Sequence, residues 1–251
     1  MRTIELEGRR AVVVGGATGI GRASAYALAH AGAEVVTLSR RDRSAGIEGP
    51  AEVADRITHR ALDISRRDDV ERVFAELVAD GGLDIVVLSS AVIEPASVEN
   101  CDDDLWRRHM DVNVDGIFAC ARAAVRAMAA RGGGGKIVVI GSVSGIVGNA
   151  GFAAYCASKG LWANLVRQMA LDCAARGINV NSVLPGFTST ELADLYDDEA
   201  KATIAAAIPA RVWATPEQIA DAVLFLSSPL ADYVHGVNLP VDGGYLAAGP
   251  I

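Results

Sequence analysis

The sequence is short of the features that mark several common protein classes. Lysine and arginine total 23 against 31 aspartates and glutamates, a formal charge of −8. With no basic excess to neutralise a phosphate backbone, nucleic acid is not expected as a partner. The cysteines are only four, Cys101, Cys120, Cys156 and Cys173, and none forms a C-x-x-C pair. No His/Cys cluster has zinc spacing, so no metal is expected, and reduced thiols fit a cytoplasmic location. Cys156 adjoins Tyr155 but points elsewhere on a helix, so it reads as a packing residue. No uncharged apolar stretch reaches the roughly 18 residues that a membrane span needs, so no membrane partner is expected. The opening MRTIELEGRRAVVVGG does not read as a signal peptide, because its apolar run is short and leads into a glycine turn.

What is present is globular. Of 251 residues, 51% are hydrophobic and 22% charged, enough for one sizeable core. Without a linker, repeat or low-complexity segment, 1–251 reads as a single domain. Apolar runs alternate with amphipathic stretches. Strands are expected at Arg9–Gly15, Glu34–Ser39, Ile57–Leu62, Leu83–Ser89, Lys136–Gly141, Ile178–Leu184 and Val237–Val241. Helices are expected at Gly19–Gly32, Arg66–Asp80, Asp102–Arg131, Phe152–Arg176, Glu191–Ala207 and Pro216–Leu226. Arg40–Ala54 is polar and broken by Gly and Pro, leaving room for a short helix at most, and Gly132–Gly135 reads as a loop. Gly177 suits a helix C-terminus, and Thr215-Pro216 suits a helix start. Strands apolar on both faces, separated by helices, imply an α/β fold with a parallel sheet covered on two sides.

The first strand–turn–helix reads VVVGGATGIGRASA, with Gly15, Gly19 and Gly21 spaced G-x-x-x-G-x-G. Such a turn lets backbone approach a pyrophosphate, and the helix N-terminus offers free N–H groups. At the end of the second strand, a carboxylate would accept from the ribose 2′-hydroxyl of NAD, whereas arginine suits the 2′-phosphate of NADP. The chain has Ser39-Arg40-Arg41 there and no acid before Asp42, so NADP(H) is favoured over NAD(H). Asp63-Ile64, after the third strand, is placed either to contact adenine or to cap the next helix.

Ser142 closes an apolar run, Tyr155 follows thirteen residues later, and Lys159 lies four beyond the tyrosine. On a helix Tyr155 and Lys159 share a face, so the ammonium is expected to draw the phenol below its usual value of about 10. Such a phenol can give a proton to a carbonyl or take one from an alcohol.

Together these residues, with Asn113 in DVNVDG, Pro185-Gly186 and the terminal VDGGY, resemble the short-chain dehydrogenase/reductase family in its form of about 250 residues. The resemblance covers nearly the whole chain. It implies a Rossmann-like doubly wound sheet of seven parallel strands in order 3-2-1-4-5-6-7, and usually a homotetramer. It implies hydride transfer between a nicotinamide and a ketone or secondary alcohol. Tyr155 would be the acid/base, and Lys159 would lower its pKa and bind the nicotinamide ribose. Ser142 would orient the substrate carbonyl, and Asn113 would interrupt its helix to hold a relay water. Thr18, Ile20, Ser90 and Ala91 would join Gly15, Gly19 and Gly21 around the cofactor, with Pro185, Gly186, Thr188 and Thr190 at the nicotinamide and phosphates.

The chain departs from the family pattern twice. Val14-Gly15 stands where T-G is usual, and Leu88-Ser89-Ser90-Ala91 replaces N-N-A-G, which removes two strand-tying amides. Candidate substrate walls are Ser144, Asn149, Phe152, Phe187, Leu192, Leu195 and Tyr196, with Glu191–Ala207 as a lid. Their apolar balance suits a small hydrophobic ketone or alcohol. Leu171-Asp172 leans against an acyl-carrier-protein partner, because carrier-binding members place basic residues there. Leu161, Trp162, Leu165, Val166 and Met169 give wide apolar coverage, of which some must face the sheet and the excess suggests a subunit interface. A nucleotide-binding sensor or scaffold of the same fold is the competing reading.

Overall fold

The computed structural model describes residues 3–40 and 50–248. Val, Ile and Leu fill the sheet because both faces are buried, and β-branched side chains pack well on a pleated surface. The strands are β1 (Arg10–Val14), β2 (Glu34–Ser39), β3 (Ile57–Ala61), β4 (Ile85–Leu88), β5 (Gly135–Ile140), β6 (Ile178–Pro185) and β7 (Asn238–Val241). They form one parallel sheet in the expected order 3-2-1-4-5-6-7. The order reverses direction at β1, where β2 and β4 leave on opposite sides, which opens a crevice beyond the carboxyl ends of the strands.

Alternate residues of β1, β2, β4, β5 and β6 feed two separate cores. Val12, Val14, Val86, Leu88, Ile137 and Val139 face α2 (Arg67–Ala79), α4 (Ile117–Arg131) and α5 (Ala153–Cys173). Ala11, Val13, Ile85, Val87, Val138 and Ile140 face α1 (Gly19–His30) and α7 (Pro216–Ser227). Each fully buried aliphatic side chain contributes about 1.5–3 kcal/mol relative to exposure, so the sheet resists any slip that would turn these residues outward. Thr215 and Gln218 form a reciprocal capping box at the start of α7, and Gly177 ends the α5 region in a left-handed conformation, both as the sequence implied.

The helix expected over Asp102–Arg131 is not uniform. It runs as α3 (Asp103–His109), a π-helical segment (Met110–Gly116) and α4. The wide turn carries Asn113, whose carbonyl accepts from the Trp162 indole at 2.7 Å, a bond from outside the helix. Glu191–Ala207 is likewise divided, into a 3₁₀ turn (Glu191–Leu195) and α6 (Asp198–Ala207). Asp197 restarts the helix by accepting from the Ala200 N–H at 2.8 Å. Gly135, read as loop, opens β5, and β6 continues through Pro185 to Gly186, whose N–H bonds Val241. Within Arg40–Ala54, Ala51 begins a 3₁₀ turn that ends at Arg56, and residues 41–49 lie outside the described residues.

Candidate active site

The crevice is a cleft of about 470 Å³ running along the strand ends. At one end Gly15 meets the backbone of Ser90, while Thr18, Gly19, Ile20 and Gly21 turn into α1. Gly21 is required by contact, since a Cβ there would stand 2.2 Å from the Gly15 carbonyl oxygen. Thr18 precedes α1 without a side-chain cap, and no acid occupies the first turn. The first N–H groups therefore face the cleft with no carboxylate of their own against them, which fits a pyrophosphate.

Ser39, Arg40, Asp63, Ile64, Ser90 and Ala91 line the same cleft. Ser39 Oγ lies 3.4 Å from His59 Nε2, and Arg40 is exposed at the rim. Arg41 lies outside the described residues. Asp63 does not cap α2, whose preceding residue is Arg66. Its Oδ1 instead accepts from the Ser65 N–H and hydroxyl at 3.0 and 2.7 Å, a local turn that leaves the segment on the cleft wall. Pro185, Gly186, Thr188 and Thr190 follow β6 along the opposite wall, and Thr190 packs near Gly19. The cleft thus joins a glycine turn suited to an anion to a wall formed by the segment after β6, which fits a dinucleotide.

At that far end the turn after β5 and the start of α5 bring Ser142, Tyr155 and Lys159 together. Ser142 Oγ accepts from the Ser144 N–H at 3.1 Å and stands close enough to the Tyr155 hydroxyl to lower its pKa. Lys159 Nζ lies 5.8 Å from the Tyr155 ring centre and donates to the Ile140 carbonyl at 2.8 Å. Gly145 permits the approach of turn to helix, since a Cβ there would stand 2.7 Å from the Lys159 carbonyl oxygen.

The sign of the phenol's shift differs from the sequence expectation. Burial pushes Tyr155 up to about 12, against the smaller lowering by Ser142. Burial also brings Lys159 down to about 8. Loss of water is the largest influence on the phenol, and the neighbouring ammonium is turned onto a carbonyl. Near neutral pH the pair is therefore phenol and ammonium, a proton donor beside a cation.

Asn113 is buried, and its amide brackets one residue of the loop after β4. Oδ1 accepts from the Val92 N–H at 2.8 Å, and Nδ2 donates to the Val92 carbonyl at 2.9 Å and to Ser158 Oγ at 3.1 Å. The unusual Leu88-Ser89-Ser90-Ala91 stretch is tied into place nonetheless, with the Ser89 N–H on the Val14 carbonyl at 2.8 Å.

Of the expected substrate walls, Ser144, Asn149, Phe187 and Tyr196 line the cleft. Phe152 is buried and Leu195 is largely exposed, both off the wall, while the Leu192 side chain is not among those described. Sequence reasoning missed Trp213, which packs 5.3 Å from Phe187 and 5.7 Å from Tyr196, centre to centre. Aromatics were scarce enough that a tryptophan beyond the lid was a candidate, but no spacing rule pointed to it. It also missed Ser158, and it read Trp162, Val166 and Met169 as interface coverage, whereas all three are buried in the core, where Trp162 and Ser158 hold Asn113.

A family model described as enoyl-(acyl carrier protein) reductase matches residues 15–246. Cis-4-hydroxycyclohexanecarboxylate dehydrogenase of Sinomonas cyclohexanicum is 39% identical over 245 residues, covering 95% of this chain and 97% of that protein. The crystal structure of a short-chain type dehydrogenase/reductase from Mycobacterium marinum superposes with a TM-score of 0.90 at 31% identity, covering 97% and 98% of the two chains. That of a gluconate 5-dehydrogenase from Burkholderia cenocepacia J2315, in complex with NADP and tartrate, has a TM-score of 0.90 at 32% identity and covers 98% of each.

The buried lysine has a measurable signature. Its proton affinity is lower folded, about 8, than unfolded, about 10.5, so the unfolded chain binds more protons between those values. Stability from this group rises with pH across that window and is lost as pH falls through about 8. Urea unfolding of the nucleotide-free protein at several pH values, wild type against Lys159→Met, should show the wild type gaining on the order of 2 kcal/mol relative to the variant between those limits. Parallel curves would contradict the assignment.

Proposed function

This chain belongs to the short-chain dehydrogenase/reductase family, and from that premise we propose that it is an NADPH-dependent carbonyl reductase working through Ser142, Tyr155 and Lys159. It is an NAD(P)-dependent oxidoreductase acting on alcohol and ketone groups. The observation that carries the direction and the residues is the meeting of Ser142 and half-buried Tyr155 beside buried Lys159, at the end of a cleft that begins with a glycine turn.

A bound reduced nicotinamide supplies the hydride to the carbonyl carbon. Tyr155, neutral near pH 7, donates its proton to the carbonyl oxygen as negative charge develops there. Ser142 aims a hydroxyl at the same oxygen, its orientation set by the Ser144 N–H. Lys159 holds positive charge beside the phenolate left behind. Asn113 fixes the loop at Val92. Its carbonyl has one lone pair on the Trp162 indole and a second for a relay water. In the oxidising direction the same groups act in reverse.

For the cofactor, the reading rests on Arg40 at the end of β2 without a carboxylate beside it, and on NADP in the solved gluconate 5-dehydrogenase. Arg41 belongs to the same proposal. We take 1–251 as one nucleotide-binding domain located in the cytoplasm, with all four cysteines free. Among the described residues no helix is long and apolar enough to cross a membrane. A homo-oligomer, tetrameric in the family's manner, is supported by Phe118, Leu161 and Leu171, which α4 and α5 leave exposed. The carrier-protein wording of the family description is not carried over, because exposed Leu171 and Asp172 sit where a carrier protein would want cations. The sensor reading is disfavoured, because the relative from Sinomonas is named as a dehydrogenase and the proton-transfer groups are in place.

Tyr155→Phe should lower kcat with NADPH and a reducible ketone by about a hundred- to ten-thousandfold while NADPH binding changes less than about twofold. Equal turnover in both proteins would end this mechanism. Arg40→Ala should weaken NADPH at least about tenfold in a fluorescence titration and leave NADH within about twofold, since only one of them has the extra phosphate. Light scattering should give a mass near four chains, and a monomer would refute the oligomer proposal.

A further inference from the structure

The substrate end of the cleft has uncharged walls, aromatic in Phe187, Tyr196 and Trp213 and polar in Ser144 and Asn149. Among the described residues, four charged side chains line the whole cleft: Arg40, Asp63, Lys159 and Glu191. Arg40 and Asp63 stand at the ends of β2 and β3, remote from Tyr155 along the sheet. Glu191 stands by the glycine turn, 3.5 Å from where a Cβ on Gly19 would lie and 4.0 Å from Arg22. Lys159 is committed to the Ile140 carbonyl and to the face of Tyr155. The nearby guanidinium of Arg211 is turned onto the Ala206 carbonyl and does not line the cleft. Among the described residues that line the cleft, no cation is left to meet a substrate carboxylate.

What faces Ser142 and Tyr155 instead is aromatic. Phe187, one residue beyond the nicotinamide wall, packs tilted on Trp213 at 5.3 Å and edge-on to Tyr196 at 6.4 Å. Tyr245 braces Phe187 from behind at 5.7 Å, and Trp213 is pinned by its indole N–H to the Lys201 carbonyl at 3.2 Å. The Tyr196 hydroxyl stands near the Asn149 side chain, which offsets part of the cost of its burial. Such a wall offers large apolar faces to a ring and leaves a buried anion without a partner.

We propose that this site selects neutral cyclic or aryl ketones, and the corresponding secondary alcohols, against carboxylate-bearing ones, with Phe187, Tyr196 and Trp213 as the selecting residues. This rests on the carbonyl-reductase reading. A carboxylate placed against the wall loses its water and gains no ion pair, while an uncharged ring of the same size loses little and gains ring contacts. Discrimination by a missing partner for a polar group is larger than discrimination by a methylene, which is worth about ten- to two-hundredfold.

Two measurements on the full-length protein test it. With NADPH, kcat/KM for 4-methylcyclohexanone should exceed that for 4-oxocyclohexanecarboxylate by at least about fiftyfold. Trp213→Ala should erode that ratio at least about fivefold, chiefly by raising KM for the neutral ketone. With saturating NADP⁺, calorimetry should show cyclohexanecarboxamide binding at least about tenfold more tightly than cyclohexanecarboxylate. Tighter carboxamide binding without turnover of any ketone would defeat the reductase reading while leaving the neutral-ring site standing. Preferred turnover or binding of the carboxylate, or binding of neither ring compound, would overturn the inference itself.

Discussion

An ammonium group held inside the protein against a strand carbonyl is the constraint on which the site depends. Lys159 donates to Ile140 at the end of β5, and the cost of taking its charge out of water appears as a proton affinity lowered to about 8. A helix end in water could not keep such a group in place. It persists because α5 lies against the β5 and β6 region of the sheet, with Val166, Met169, Ala170 and Cys173 in the core and Trp162 bonded to Asn113. Packing thus stabilises what electrostatics alone would expel.

The same packing sets the state of Tyr155. Ser142 draws its pKa down, yet burial raises it to about 12. A neutral phenol and a charged amine are the forms needed to protonate a carbonyl oxygen and to support the phenolate left behind. The sequence reading put the attraction between the two groups first, because spacing on a helix reveals proximity. It could not weigh that attraction against desolvation, which depends on every neighbour of the ring.

Much of the cofactor cleft was legible. A glycine at each close approach, a serine at a strand end and a tyrosine one helical turn before a lysine are local patterns whose chemistry follows from spacing. The strand order was legible only through the family resemblance, since alternating strands and helices are compatible with more than one parallel sheet. The π-helical turn at Met110–Gly116 and the restart at Asp197 were harder. Each interrupts a stretch whose apolar period continues through it, so periodicity ran two elements together. Asn113 was found as a conspicuous polar residue within a helix, but its bracket on Val92 joins groups twenty-one positions apart.

By itself, then, the sequence determined the parallel, two-sided sheet, the glycine turn, the spacing of Ser142, Tyr155 and Lys159 and the absence of an acid beside Arg40, because each rests on residues near one another in the chain. Only the tertiary structure decided the protonation states of Tyr155 and Lys159 and the aromatic wall of Phe187, Tyr196 and Trp213. Exclusion of water and the meeting of side chains from separate loops are properties of the packed whole. No local pattern of residues encodes them.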